Sequence, residues 1–247
     1  VSPHYGVNGT QIDNYSDNWN LLGNPYPSAV RASQFLFDNR TKIMGNVRLW
    51  THGTLPAAVS SPFYDTFVYN YSPGDYLTYN FTGASCCPAF GADLFIGSGQ
   101  GFFVQMIDGP TGSSTISFNN NQRSYTYSNS SFYRFANPQN LSSDITNLER
   151  NRIWIDIVDS NNISNRALVG YIEEATMGED NFFDCVMNNT NTLAIYSMID
   201  QQKYNIQGRA IPFDDNDEVP VGVILPNGGS FNIALAGVDG LFNNQNI

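Results

Sequence analysis

The chain has 247 residues and a net charge of −11, with 22 acidic against 11 basic side chains. This charge excludes nucleic acid as a partner and disfavours an anionic membrane surface, because no basic patch could neutralise phosphate groups. No run of roughly eighteen apolar residues occurs, which excludes membrane insertion by a helix. Hydrophobic residues make up 41% of the chain and aromatic residues 14%, enough apolar side chain for a packed core.

Short apolar or alternating runs, separated by clusters of Gly, Pro and Asn, predict an all-β fold. Strands alternate their side chains between two faces, so the core-facing residues of such runs recur at every second position. In the first half of the chain the predicted strands cover residues 18–22, 47–51, 64–69, 76–80, 101–107 and 114–119.

A stiff corner at residues 23–28 follows the first strand. Pro25 and Pro27 fix their own φ angles and favour extended backbone in the residues before them, so no helix passes through. Residues 28–37 then carry apolar side chains at roughly helical spacing, with Ser28 as a candidate N-cap. We therefore expect one short helix after the corner, and we interpret the corner as structural rather than ligand-binding.

The second half of the chain predicts a second β unit. A polar stretch at 137–144 with one proline separates the two strand-rich halves, as an inter-domain linker would. We predict two packed β-sandwich units of jelly-roll or immunoglobulin-like type, the first at 1–137 and the second at 145–247. The strands predicted for the second unit cover 152–158, 166–172, 193–197, 203–210, 218–224 and 229–236.

The chain carries few residues suited to catalysis, and we expect that it is not an enzyme. His4 and His52 are its only histidines, and no strained strand-to-helix nucleophile turn accompanies them. The glycine-rich stretch 97–101 leads into a strand, so it predicts a tight turn and not a phosphate cradle. A carboxylate pair of the glycosidase type is the open alternative. Its candidates are Glu173 or Glu174 with Asp156 or Asp180.

Two acidic loops are candidate Ca²⁺ sites, because hard cations prefer carboxylate and amide oxygens. Neither loop has the spacing of an EF-hand, and the alternative for both is a solvated acidic turn. In the first loop the candidate ligands are Asp214, Asp215, Asp217 and Glu218. In the second loop they are Glu173, Asp180 and Asp184.

Tyrosines are concentrated between residues 64 and 79. Exposed aromatic rings can stack on the faces of sugars, which makes Tyr76 and Tyr79 candidate glycan-binding residues. The alternative is structural, since tyrosine is also common on half-buried strands.

The cysteines are Cys86, Cys87 and Cys185. An odd number with one adjacent pair is a poor disulfide framework. We expect Cys185 to be a small buried residue, and the state of the adjacent pair stays open.

Several motifs, taken in order, resemble one family of secreted bacterial proteins. They are WNLLGNPYPS at 19–28, VRLWTH at 47–52, GQGFFV at 99–104, FNN at 118–120 with Arg123, FYR at 132–134, VGYIE at 169–173, ATMGED at 175–180, IQGRA at 206–210 and DGLF at 239–242. The set resembles the region that precedes the C-terminal sorting domain in large secreted proteins of flavobacteria and other Bacteroidota. The type IX secretion system exports those proteins, which include gliding-motility adhesins.

The resemblance implies an extracellular module at the outer cell surface, with an all-β architecture and no catalytic residues to carry over. The leading interpretation is a non-enzymatic β-sandwich module of a secreted, cell-surface adhesin or filament-like protein. The alternative is a carbohydrate-binding module of a secreted hydrolase. We expect the chain to be a piece of a longer protein. Its expected partners are other domains of that protein, secretion machinery or cell-surface proteins, and glycans, and the one cofactor considered is Ca²⁺.

Overall fold

The computed structural model describes eleven stretches of the chain, and all structural statements refer to them. They are residues 1–3, 17–50, 57–58, 69–70, 76–85, 93–107, 112–124, 148–160, 163–187, 192–226 and 228–244. The expectation of an all-β, sandwich-like fold with one short helix is confirmed, since strands of several sheets dominate these stretches.

The first half of the chain supplies one antiparallel sheet and two short strand pairs. The elements are β1 (Trp19–Gly23), β2 (Val30–Arg31), α1 (Ala32–Asn39), β3 (Ile43–Trp50), β4 (Ala57–Ala58), β5 (Tyr69–Asn70), β6 (Tyr76–Tyr79), β7 (Phe95–Ile96) and β8 (Gly101–Met106). The four longer strands are ordered β1-β8-β3-β6, and the short pairs are β2 with β7 and β4 with β5.

The second half supplies a seven-stranded sheet. The strands are β9 (Arg150–Asp159), β10 (Ser164–Ile172), β11 (Cys185–Val186), β12 (Ala194–Ile199), β13 (Gln202–Ala210), β14 (Val221–Ile224) and β15 (Phe231–Val238). Six of them are ordered β14-β12-β13-β10-β9-β15, and β11 pairs with β13 away from this path. Only the pair β10–β13 is parallel among these pairings.

The helix starts later than predicted, and Ser28 is not its N-cap. Helix α1 begins at Ala32, and the Ser28 hydroxyl instead accepts a hydrogen bond from Arg123 Nε at 2.9 Å. The first N–H groups of α1 are bound by the chain near Asp93. Ala32 N–H donates to the Leu94 carbonyl at 2.8 Å, and Ser33 N–H donates to Asp93 Oδ1 at 3.1 Å. Two of the four orphan donors that a helix start exposes are therefore satisfied from a distant segment.

The strand predicted at 114–119 is wrong. This stretch pairs with no strand among the described residues, and it contacts α1 instead. The buried Asn39 side chain substitutes for a strand partner: its Nδ2 donates to Ser117 O at 3.0 Å and its Oδ1 accepts from Ser117 N–H at 2.8 Å. Phe118 packs its ring 5.1 Å from that of Phe35 on the helix.

The proline corner is fastened by the buried side chain of Asn24. Its Nδ2 donates to the carbonyl oxygens of Ser28, Ile96 and Gly97 at 2.9–3.0 Å, and its Oδ1 accepts from Tyr26 N–H at 2.9 Å. One amide therefore closes the corner on itself and ties it to β7, in line with its interpretation as structural.

The largest apolar cluster draws on both halves of the chain. It is built around α1 and the four-stranded sheet, and it also includes Ile172, Ala175 and Phe183. The stretch 137–144, predicted to separate two units, lies outside the described residues, so the division into 1–137 and 145–247 stays a prediction. Among the described helices, none is long and apolar enough to cross a membrane.

Candidate functional site

The two sheets meet where the loop after β6 lies on β10 and β13. Gly170 and Gly208 face each other across the parallel pair of strands, and the fully buried Thr82 lies over both. A Cβ on Gly170 would come within 2.8 Å of Thr82 Cγ2, and one on Gly208 within 3.0 Å of Thr82 Oγ1. The loop can approach the strands this closely because both positions lack a side chain.

Thr82 is held from three directions. Its hydroxyl donates to the Phe183 carbonyl at 2.6 Å, and its N–H donates to Asn80 Oδ1 at 2.9 Å. Its own carbonyl accepts from Arg152 Nη1 at 3.0 Å. We call Thr82, Gly170, Gly208 and Arg152 the seam, since together they join the first-half sheet to the second-half sheet.

Arg152 is the charged member of the seam. Its side chain is 5% exposed, and its Nε donates to Asp239 Oδ2 at 2.9 Å. Asp239 also binds the backbone of this arginine. Arg152 N–H donates to Asp239 Oδ1, and Asp239 N–H donates to the Arg152 carbonyl, both at 3.0 Å. Gly240 follows at φ +63°, where a Cβ would lie 2.3 Å from the Arg150 carbonyl oxygen. The Asp-Gly pair thus fixes the chain after β15 to the seam.

A second buried charge lies at the start of α1. Asp93 accepts hydrogen bonds from the Ser33 hydroxyl at 2.7 Å and from the Tyr79 hydroxyl at 3.2 Å, and Arg31 lies 3.7 Å away. Burial raises the pKa of the Asp93 carboxyl to about 6, and the bonds from Ser33 and the charge of Arg31 oppose that rise. A carboxyl with this pKa changes its charge in mildly acidic solution.

Another buried acid is Asp184, in the turn between β10 and β11. Its Oδ1 accepts from Gly208 N–H at 2.8 Å, and its Oδ2 accepts from Asp180 N–H. Burial raises the pKa of Asp184 to about 7, and the charges of Asp180 and Glu179 add to the rise. Both carboxylate oxygens bind backbone, so this acid fastens the turn to β13.

A small cavity lies between this turn and the first-half sheet. Asn46 and Arg48 of β3, Gln105 of β8, and Asp180 and Asp184 of the turn are among its lining residues. Its volume of about 20 Å³ is room for a water molecule and not for an organic ligand.

In the first predicted calcium loop, one of the four candidate ligands already binds other side chains. Asp217 is paired with Arg209, whose Nε donates to Asp217 Oδ2 at 2.7 Å, and the Tyr171 hydroxyl donates to the same oxygen at 2.7 Å. These hydrogen bonds from Arg209 hold the pKa of Asp217 below its usual value. The side chains of Asp214, Asp215 and Glu218 are exposed.

The second predicted calcium loop is likewise bound to the backbone. Glu173 is exposed, Asp180 Oδ2 accepts from Thr176 N–H, and Asp184 is bound as described above. Within the described stretches, no three His, Cys, Asp or Glu side chains are grouped as ligands of a metal ion. Calcium binding at either loop stays a prediction that no cluster of carboxylates supports.

The candidate glycosidase pairs that include Asp156 are too far apart for that chemistry. Asp156 is ion-paired with Arg166, which lies opposite it on β10. Glu173 follows β10 seven residues beyond Arg166, which is about 23 Å along the strand. Carboxylates that cleave a glycosidic bond lie within about 10 Å of each other. Asp156 therefore cannot form such a pair with Glu173 or with Glu174.

The tyrosine candidates are separated by burial. Tyr79 is 2% exposed with its hydroxyl bound to Asp93, so its ring is not available to stack on a sugar. Tyr76 is half-buried and packs edge-on against Phe103 at 5.9 Å. Cys185 is a buried free thiol, as expected. His4, His52, Cys86 and Cys87 lie outside the described residues.

The seam residues were missed by sequence reasoning, although the sequence held one signal for them. Gly170 and Gly208 each interrupt an otherwise apolar or alternating strand, and a glycine inside a strand marks close approach of another backbone. Thr82, Arg152 and Asp93 carry no such local signal, because their partners are distant in sequence.

The model of a family described as "Domain of unknown function (DUF8693)" matches residues 2–247. The chain belongs to this DUF8693 family. Searches among curated proteins and among solved structures found no match. The family model covers nearly the whole chain, so the seam and both sheets lie within the DUF8693 domain.

We expect Arg152→Ala to destabilise the chain by about 2–3 kcal/mol, because it leaves the buried Thr82 carbonyl unsatisfied and removes the hydrogen-bond donors of the 29% exposed Asp239 carboxylate. Urea denaturation followed by circular dichroism measures the change. Arg166→Ala is the matched control on the neighbouring strand. Its side chain is 25% exposed and its ion pair is partly solvated, so the cost should be about 1 kcal/mol. Equal losses in the two variants would contradict a special role for Arg152.

Asp93 should make the chain less stable as the pH rises from about 4 to about 7. The pKa of Asp93 is about 6 in the folded chain, and its ordinary value, which applies to the unfolded chain, is 3.8. At a pH between these two values the folded state therefore binds more protons than the unfolded state. Stability from this group is present below the lower value and is lost as the pH passes the upper one. The full effect is on the order of 3 kcal/mol.

The test compares unfolding free energies of the wild type and Asp93→Asn over this pH range. The asparagine variant should lose this contribution and show a flatter curve, while Asp184, with the same sign, remains in both proteins. Asp214→Asn, at an exposed carboxylate, controls for the change in formal charge and should run parallel to the wild type. Parallel curves for all three proteins would contradict the assignment.

Proposed function

We propose that the chain is a non-enzymatic structural module of an extracellular protein at the outer cell surface, adhesin-like or filament-like and exported by the type IX secretion system. Its partners would be the neighbouring domains of the same long chain, together with secretion machinery or cell-surface proteins. The proposal combines the sequence resemblance with one structural observation, the placement of the residues that carry the resemblance.

That observation is that the shared motifs supply framework contacts. Asn24 closes the proline corner, Gly170 and Gly208 form the floor of the seam, and Asp239 binds Arg152. Asp180 binds the backbone of its own turn. Each of these residues packs against the fold or binds its backbone. This placement supports the proposal that the motifs specify a structural scaffold.

The buried acids support the same reading. A carboxyl with a raised pKa is a general candidate for catalysis, and Asp93 and Asp184 both have one. Asp184, however, is 5% exposed and binds backbone N–H groups through both oxygens, and Asp93 is 4% exposed and binds Ser33 and Tyr79. The structural use of these groups accounts for their burial and hence for their pKa values.

Labelling of whole cells tests the proposal. An antibody raised against the 247-residue chain should label intact cells of the organism that encodes it, as strongly as it labels permeabilised cells. Protease added to intact cells should remove the signal, and a cytoplasmic protein serves as the control for leakage. Deletion of the type IX translocon should abolish surface labelling. Labelling that requires permeabilisation would contradict the surface location, and unchanged labelling in the deletion strain would contradict the export route.

A further inference from the structure

The edge strand β15 exposes a row of large apolar side chains. Phe231 is 38% exposed, Ile233 53% and Leu235 49%. These residues alternate along the strand, so they share one face of the sheet. β15 is the last strand of its sheet and pairs with β9 on one side, and no described strand pairs with its other side.

Apart from an irregularity in its pairing with β9 between Leu235 and Gly237, the strand carries little of the protection that natural edge strands use. Soluble proteins shield such edges with charged residues, prolines or short strands, because unpaired N–H and C=O groups can pair with another chain. β15 has eight residues, and residues 228–238 contain no charged residue and no proline. The opposite edge, β14, has four residues, follows Pro220 and lies beside the acidic loop 214–218.

We propose that β15 pairs antiparallel with β15 of a second copy of this chain, about a two-fold axis, to form one sheet across a dimer. In a register centred on Ile233, this residue faces its own copy and Phe231 faces Leu235 of the other copy. The six apolar side chains then lie on one face, and both backbones gain hydrogen-bonding partners. A two-fold contact of this kind is closed and uses the same residues on both sides.

The distribution of charge favours a second copy as the occupant. The chain carries a net charge of −11, so most of its surface repels another copy of itself. In antiparallel self-pairing every residue meets a residue of the same segment, and an acidic residue there would meet its like at a cost. The segment 228–238 is uncharged in a chain with 33 charged residues, and it is therefore suited to self-pairing. The dimer goes beyond the proposed function and does not depend on it.

Sedimentation of the full 247-residue chain tests the dimer. Between about 2 and about 200 µM the average mass should rise from 27.4 kDa towards twice that value. Ile233→Lys places a charge at the centre of the pairing and should weaken dimerisation at least tenfold. Val221→Lys places the same charge on the exposed edge strand β14 and should dimerise like the wild type. Circular dichroism at the lowest concentration verifies that both variants are folded.

Hydrogen exchange of the wild type provides a readout without mutation. The amides of residues 231–238 should be better protected at the high concentration than at the low one, and those of β14 should not change. A wild type that stays at 27.4 kDa throughout would overturn the proposal and leave the edge to a different protein strand. Equal weakening by Ile233→Lys and Val221→Lys would overturn it as well, since the contact would then not be at β15.

Discussion

The close approach of Thr82 to two facing glycines is the contact on which the rest of the structure depends. It brings the loop after β6 onto β10 and β13, and only bare backbone at Gly170 and Gly208 leaves the space. Once the loop is seated, its carbonyl faces Arg152, and this arginine in turn fixes Asp239. A steric condition at two glycines thus determines where the buried charges lie.

The buried charges follow from this arrangement rather than adding independent stability. A buried ion pair often repays little more than its own desolvation, while losing one partner is costly. Arg152 and Asp239 therefore act as a constraint on how the sheets meet. Asp184 extends the same constraint, because its carboxylate binds Gly208 N–H and its turn contributes Phe183 to the shared core.

Local pattern predicted the strands and failed where partners are distant. The alternation of Ile153, Ile155 and Ile157 located β9 well, and the glycine and proline breaks located most other strands. The start of α1 was predicted too early, because the acceptors that bind its first N–H groups come from residues 93 and 94. Ser117 was predicted in a strand because a sequence cannot show that Asn39, 78 positions away, takes the partner's place.

The same limit applied to the candidate site. Acidic clusters in the sequence suggested a cation, yet Arg209 neutralises Asp217 from eight residues away, and backbone N–H groups bind Asp184. Composition reports which charges are near one another in sequence and not which groups already satisfy them. The strand β15 is the opposite case. The sequence shows that it carries no charge, but only the sheet topology shows that it is an edge strand.

We infer from these contacts that the seam makes the two sheets one cooperative unit, and native-state hydrogen exchange of Gly208→Ala tests this inference most directly. The added methyl would meet Phe183 Cβ at 2.5 Å and should cost about 1–3 kcal/mol. Gly23→Ala, whose Cβ meets nothing within 4 Å, is the control. We predict that β3 and β6 of the first sheet lose as much protection as β10 and β13 of the second. Loss confined to β10 and β13, with the first sheet unchanged, would contradict the account.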